Sequence, residues 1–310
     1  MRAVVLREHG NASKLMVSEV PEPKNSDPDS SIVRNEYAAV NFIDTYHRTG
    51  LYRRQLPFVL GREGVGYIGE RRVAYFPGAG YQESLVVPNS SLVDVPKELD
   101  SKQACSLVAG LTALLMSQLV SLNKDDWVLV YAVSGGVGSL LAQMLRNNGI
   151  KVIGTTSPSK LDFAKSLNIE VINRQEDIPS QVMDFTKGQG VRAVFDGVGK
   201  DTFETSLQCL AAKGDFISFG NASGKVPPVD LLDLSKKGIK IQRFALTLHL
   251  TDLQKTASEY YQMLVDGNVK VEIDKVFPLE KAKEAHEYLE SGKSVGKVLL
   301  NFKEAEESLE

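Results

Sequence analysis

The sequence predicts an α/β protein: a doubly wound, parallel six-stranded sheet preceded by a compact, β-rich domain. Three observations carry this. Between residues 127 and 246, short β-rich runs alternate with helix-period segments. The first 110 residues lack that rhythm and show short runs such as "RAVVL", "SIVRNEYAAV" and "YQESLVV" between Pro, Gly and Asn signals. The stretch "VLVYAVSGGVGSLLAQMLRNNG" (Val128 to Gly149) joins an apolar run to a glycine cluster and then to an apolar helix stripe.

The six strands are expected at Trp127–Tyr131, Lys151–Thr156, Glu170–Asn173, Val191–Asp196, Asp215–Phe219 and Ile239–Leu246. Strands alternating with helices require crossover connections, and right-handed crossovers cover both faces of a parallel sheet. After the sixth strand come a helix-like segment "DLQKTASEYYQMLVDG", a run "KVFPL", a second helix "EKAKEAHEYLESG" and a last strand "GKVLLNF". With no further strand–helix unit to join, this tail is expected to pack on the first domain. The expected division is 1–110 with 268–310 against 111–267, ending in a frayed "KEAEESLE".

At 310 residues the chain can bury roughly three quarters of its unfolded surface. Its formal net charge of −3 offers no basic field for a nucleic acid. Cys105 and Cys209 are the only cysteines and lack metal-knuckle spacing, so both are expected as buried thiols. The opening "MRAVVLREHG" is too short an apolar run for a secretory signal, and no run approaches the roughly 20 apolar residues of a membrane span. A cytoplasmic protein without membrane contact is expected.

Val137, Leu140, Leu141, Met144 and Leu145 place one apolar stripe on a helix starting near Gly138. Ser134, Gly135, Gly136 and Val137 therefore fall at a strand-to-helix turn, where backbone amides and the positive helix end receive a pyrophosphate. Against G-x-G-x-x-G, Val133 replaces the first glycine, while Gly135 and Gly138 keep the second and third. Another backbone path must make the tight turn. At the end of the second strand an NAD site would place an acid. Here Thr155, Thr156 and Ser157 stand instead, followed by Lys160 and Arg174. Hydroxyls and cations suit a 2′-phosphate, so NADPH is the expected cofactor.

In this company other stretches gain meaning: "AAVNFIDTYHRTGLY", "LGREGVG", "VAGLTALL", "FDGVG", "FGNASG" and "GKVLL". Together with "SGGVG" they resemble the zinc-free quinone oxidoreductases of the medium-chain dehydrogenase/reductase superfamily over nearly the whole chain. The resemblance implies a GroES-like catalytic domain and a Rossmann domain. Zinc-dependent relatives carry Cys where this chain has Asn41 and His where it has Arg62, and they insert a four-cysteine lobe absent here, so no metal is expected. His9, His249 and His286 are expected to be structural or exposed.

By the same resemblance Asn41, Tyr46, Tyr52 and Thr112 approach the nicotinamide and its ribose. Gly197, Val198, Phe219, Gly220, Phe244 and Leu246 line the nicotinamide half, Lys297 closes the pocket, and Arg243 lies near the substrate. Asn41, Tyr46, Tyr52 and Arg243 are the candidate catalytic residues. Asp44 is expected to position rather than react, and Arg62 to bind an anionic group or pair with Glu63.

Hydride transfer needs a held cofactor, a flat acceptor and exclusion of water more than it needs side-chain acids. A quinone reductase is the first reading, with Tyr46 or water as proton source. An enoyl or 2-alkenal reductase is the alternative, and an NADPH-binding protein with a structural or redox-sensing role the third. The partner is a small-molecule quinone or enone. The alternating strand "IKIQRFALTL" is an expected edge for a homodimer or homotetramer.

Overall fold

The computed structural model describes residues 1–302, so the expected frayed end "KEAEESLE" lies outside the described residues. The chain forms two compact units. The first comprises Met1–Val108, Asp252–Val265 and the chain from Val271 onward; the second comprises Ala109–Thr251 and Asp266–Lys270.

The first unit opens with β1 (Arg2–Leu6), β2 (Met16–Glu19) and β3 (Ser30–Val40), then α1 (Phe42–Thr49), which Asn41 precedes and Gly50 ends at φ +79°. There follow β4 (Phe58–Val59), β5 (Gly64–Ile68), β6 (Arg71–Tyr75), β7 (Ser84–Pro88), β8 (Leu92–Asp94) and the short α2 (Ser101–Ala104). A small antiparallel sheet has the order β2-β1-β4. β3, eleven residues long, organises the larger sheet and pairs with β5 and β7.

α3 (Leu107–Ser117) leads into the second unit. There β9 (Trp127–Val130), α4 (Gly136–Asn147), β10 (Lys151–Thr156), α5 (Leu161–Ser166), β11 (Glu170–Asn173), α6 (Ile178–Phe185), β12 (Val191–Asp196), α7 (Phe203–Cys209) and β13 (Leu210–Ser218) alternate strictly. α8 (Leu231–Ser235), β14 (Lys240–Arg243) and α9 (Leu246–His249) complete it. All pairings are parallel and the order is β11-β10-β9-β12-β13-β14, the doubly wound order with its reversal at β9. Leu129, Ile153, Ile172, Val194 and Phe216 share its buried core. Three expected strands differ in extent, β9 stopping at Val130, one residue short of Tyr131. β13 begins at Leu210, and its pairing with β12 shifts register between Val191 and Ala193. The sixth strand ends at Arg243, because Phe244 turns inward and Ala245 enters α9, so Leu246 is helical.

The chain then returns to the first unit as α10 (Leu253–Val265), β15 (Ile273–Pro278), α11 (Ala282–Glu290) and β16 (Lys297–Asn301). β16 pairs antiparallel with β3 and parallel with β15, which gives the seven-stranded sheet its order β15-β16-β3-β5-β6-β8, with β7 on β3. α10, expected within 111–267, groups with the first unit. Its Tyr260 hydroxyl lies 2.6 Å from Ser106 Oγ and its Tyr261 hydroxyl donates to the Ala104 carbonyl over 2.9 Å.

Candidate active site

In the second unit β9 hands over to α4 through a turn that does without its usual first glycine. Ala132 takes the left-handed backbone conformation at φ 51°, and the Gly135 amide closes on its carbonyl at 2.9 Å. Val133 is fully buried, and its amide donates to the Thr155 carbonyl of β10 over 3.0 Å. Its side chain occupies the space above Gly154, where a Cβ would stand 2.7 Å from Val133 Cγ1. The glycine lost from the turn thus has a counterpart on the neighbouring strand. Gly138 is required: a Cβ there would stand 2.5 Å from the Ala132 carbonyl oxygen. Gly135 precedes the helix, so the amides of Gly136, Val137 and Gly138 are the first-turn donors that no helical carbonyl answers. Such a cradle fits a pyrophosphate.

The far side of this turn is hydroxyl-rich. Ser134 Oγ lies 2.8 Å from Thr156 Oγ1, both buried, tying the glycine turn to the end of β10. Thr155 is buried within the sheet; Ser157 opens a short 3-10 turn that ends with Lys160. The Arg174 amide donates to the Thr156 carbonyl over 2.8 Å while its side chain is exposed. The structure therefore brings Ser134, Thr156, Ser157, Lys160 and Arg174 to one end of adjacent strands, with both threonine side chains serving the scaffold.

The ends of β12 and β13 approach as closely as backbones can. A Cβ on Gly220 would stand 2.2 Å from the Gly197 carbonyl oxygen, and one on Gly197 would meet the Phe219 ring at 2.8 Å. Asp196 holds this turn: its Oδ1 accepts the amides of Val198 (2.7 Å) and Gly199 (3.0 Å), and its Oδ2 accepts the hydroxyls of Thr202 (2.6 Å) and Ser206 (3.2 Å). Burial outweighs these donors and lifts its carboxyl above the ordinary range. Arg243 donates to Ser218 Oγ (2.7 Å) and the Gly220 carbonyl (2.9 Å), so it braces this strand end. Phe244 is buried and stacks on His249 with ring centroids 4.6 Å apart, Leu246 begins α9, and Thr112 is buried on α3.

In the first unit the Asn41 carboxamide is held at both ends. Its Nδ2 donates to Glu63 Oε1 over 2.9 Å, and its Oδ1 accepts from Lys297 Nζ over 2.7 Å. Lys297 also donates to Glu63 Oε1 (3.2 Å), and Glu63 Oε2 accepts the Val108 amide (2.6 Å). Glu63 and Lys297 are both buried, an ion pair whose remaining valences are met by hydrogen bonds. Glu63 is therefore committed to Lys297, not to Arg62. On α1, Tyr46 and the Tyr52 beyond it pack edge to face at 5.2 Å, and His47 Nδ1 donates to the Tyr52 carbonyl over 3.1 Å.

Beneath Asn41 runs a buried chain of donors. Arg48 can only donate, so its 3.2 Å contact makes His286 Nδ1 the acceptor and leaves the proton on Nε2. That nitrogen donates to the Tyr81 hydroxyl (3.1 Å), which donates to Asp44 Oδ2 (3.2 Å). The Asn41 amide also donates to Asp44 Oδ2 (2.9 Å), capping α1. Arg48 is balanced by Glu290 at 2.7 and 2.8 Å. Burial raises Asp44 to about 7 and, with the Arg48 charge, lowers His286 to about 3. Sequence reasoning missed Glu63, Tyr81, His286 and Asp196 as organisers of these sites. Asp196, inside "FDGVG", and Glu63, inside "LGREGVG", carried a local signal; Tyr81 and His286 carried none.

The family model described as zinc-binding dehydrogenase matches residues 170–300. Zinc does not suit the residues present: Asn41 Oδ1 faces an ammonium and Arg62 has no lone pair to give. Among the described residues no three His, Cys, Asp or Glu side chains group as metal ligands. Over 318 residues, covering 96% of each chain, the protein is 36% identical to a probable quinone oxidoreductase of Schizosaccharomyces pombe. It is 31% identical to a 2-haloacrylate reductase of Burkholderia sp, across 96% of this chain and 98% of the relative. The structure of Escherichia coli quinone oxidoreductase complexed with NADPH superposes with a TM-score of 0.93 at 31% identity, covering 97% of this chain and all of the other. Likeness of this extent makes the chain a member of the quinone oxidoreductase family of the medium-chain dehydrogenase/reductase superfamily.

Proposed function

We propose that the protein is an NADPH-dependent quinone oxidoreductase: quinone, NADPH and a proton give hydroquinone and NADP⁺. The observation that carries this is the turn from Ala132 to Gly138, where close backbone contact and first-turn amides offer a diphosphate seat beside a strand end rich in hydroxyls and cations. The Escherichia coli relative, solved with NADPH, supports the cofactor. When bound, NADPH supplies the hydride. Gly135, Gly136 and Val137 hold the diphosphate, Ser134 is kept in place by Thr156, and Lys160 and Arg174 answer the 2′-phosphate. Gly197, Val198, Phe219 and Gly220 form a tight backbone floor braced by Asp196 and Arg243. Thr112, Phe244 and Leu246 belong to the same half.

In the first unit, Lys297 and Glu63 fix the Asn41 carboxamide in one orientation, so that it presents a shaped polar wall without reorganising. Tyr46 and Tyr52 supply a flat apolar wall, and the Tyr46 hydroxyl or water supplies the proton that the reduced quinone takes up. The 2-haloacrylate reductase relative favours a second reading, hydride addition to the β carbon of an α,β-unsaturated carbonyl. The test is NADPH oxidation with 1,4-benzoquinone, 9,10-phenanthrenequinone, crotonyl thioester and 2-hexenal side by side. Fastest turnover of a quinone supports the first reading and of an enal or thioester the second. Tight NADPH binding with no turnover of any acceptor leaves the structural or redox-sensing role.

A homodimer or homotetramer joined through β14 fits the exposed edge: Ile241 is exposed on it, and Leu231, Leu232 and Leu248 nearby in sequence are three-quarters or more exposed. A cytoplasmic location fits two buried, unpaired cysteines. Among the described residues, no helix is long and apolar enough to cross a membrane.

A further inference from the structure

Arg54 and Arg62 form a positive cluster beside His47 in the first unit, and the Asn41 group does not use it. Arg62 follows Gly61, whose φ of +90° and crowding by Tyr81 (2.5 Å from a would-be Cβ) fix the turn into β5. The Gly78 amide donates to the Arg62 carbonyl over 2.8 Å. The Arg62 guanidinium lies over the Phe76 ring at 5.4 Å, and that of Arg54 over Phe58 at 4.5 Å, so both cations are held against aromatic faces. They sense one another: after burial, the Arg54 charge lowers Arg62, and both charges lower His47.

Two buried polar atoms of this cluster, Arg62 Nε and His47 Nε2, have no hydrogen-bond partner among the described residues. An unanswered buried donor costs free energy and is rare in a native protein. The neighbouring carboxylates do not answer it. Both oxygens of Glu63 are engaged by Asn41, Lys297 and Val108. Asp44, the carboxylate whose charge reaches Arg62, is fully buried and sits near 7, so at neutral pH it is only part ionised. Two permanent cations thus face less than one negative charge. The cluster also adjoins the candidate catalytic wall: His47 donates to the Tyr52 carbonyl, and the His47 and Tyr52 rings lie 6.1 Å apart.

From these positions we propose that Arg62 and Arg54 bind an anionic group, a carboxylate or sulfonate, carried by the acceptor. The inference rests on the reductase reading and narrows its substrate class to negatively charged quinones or enones. Two oxygens of a carboxylate or sulfonate accept from the Arg62 Nε–H and the neighbouring guanidinium N–H, matching the guanidinium fork. A neutral acceptor leaves that donor and both charges unanswered, so discrimination comes from the unpaired group as much as from the pair.

The test compares 1,2-naphthoquinone-4-sulfonate with 1,2-naphthoquinone under saturating NADPH, using the full chain. The ratio of kcat/KM, sulfonate over neutral, is expected to exceed one in the natural protein. It should fall about tenfold or more in Arg62→Gln and in Arg54→Gln, and to recover in part in Arg62→Lys. Independently of turnover, calorimetric titration with benzoate and with benzamide should show binding of benzoate alone, abolished in Arg62→Gln. A ratio at or below one, a ratio unchanged in both glutamine variants, or equal binding of benzoate and benzamide would overturn the proposal. If neither quinone is reduced, the reductase reading fails, and the benzoate titration still decides the anion site. A destabilised Arg62→Gln leaves Arg54→Gln and the natural protein's own ratio to decide.

Discussion

Lys297 Nζ on the last strand donates to Asn41 Oδ1 over 2.7 Å, joining residues 256 positions apart at the mouth of α1. The same ammonium neutralises the buried Glu63. Removing it leaves a carboxylate without a countercharge in the interior, which is far costlier than losing a surface pair. We predict that Lys297→Met destabilises the chain by about 3 to 5 kcal/mol. Glu63→Gln combined with Lys297→Met should lose clearly less, since no charge is then stranded. Urea midpoints of the two variants check this, and a double variant no more stable than the single one would refute it.

The Asp44 and His286 pair makes a pH prediction with a definite sign. Between about pH 4 and 6.5 the folded chain holds one proton on Asp44 and none on His286, because their carboxyl and imidazole sit near 7 and 3. The unfolded chain in that window holds none on the aspartate and one on the histidine. The proton counts match, so the pair contributes almost no slope. Asp44→Asn leaves the unfolded state with the extra proton, so stability should rise with pH by up to about 1.4 kcal/mol per unit relative to the natural protein. His286→Gln leaves the folded state with the extra proton, and stability should fall as pH rises through the same window. Urea unfolding at pH 4.5, 5.5 and 6.5 measures both slopes; parallel curves for all three proteins would sink the assignment.

The glycine turn was legible because its signal is local, a strand, a glycine cluster and a helix within twenty-odd residues, whereas Asn41 entered only through the resemblance of the motif around α1. The central strands were legible too, because β9, β10 and β12 are buried along nearly their whole length and read as apolar runs. What stayed hidden is non-local. Asn41 meets Glu63 across 22 positions, Asp44 meets Tyr81 across 37, and Tyr81 meets His286 across 205. No spacing rule links such residues before the fold brings β5, α1 and α11 together. The shortened sixth strand was hidden for a different reason, since "FALTL" alternates well enough for a strand while Phe244 packs inward and Leu246 begins a helical turn.

Val133 and Gly154 make a second testable pair. A Cβ on Gly154 would stand 2.7 Å from Val133 Cγ1 and 2.8 Å from Ile169 Cδ1, and a β-branched side chain has little freedom to withdraw. Gly154→Ala should cost about 1 to 3 kcal/mol by overpacking. Val133→Ala opens space at the same spot, so the double variant should be more stable than the sum of the two single losses, by about 1 kcal/mol. Simple additivity would show that the two positions do not share the space.

Cofactor choice turns on Lys160 and Arg174, which follow the ends of β10 and β11. β10 ends in hydroxyls where an acid would select NAD, and the Arg174 amide is pinned to the Thr156 carbonyl, so the exposed guanidinium starts from a fixed point. Each charge-assisted bond to a 2′-phosphate contributes about 1.5 to 3 kcal/mol, or roughly tenfold to a hundredfold in affinity. Lys160→Gln and Arg174→Gln should each weaken NADPH by such a factor and leave NADH, which has no phosphate there, within about threefold. Calorimetric titration of both cofactors into the natural protein and the two variants reads the ratio directly. Equal losses for NADPH and NADH would mean that these side chains support the fold of the strand ends instead of recognising the phosphate.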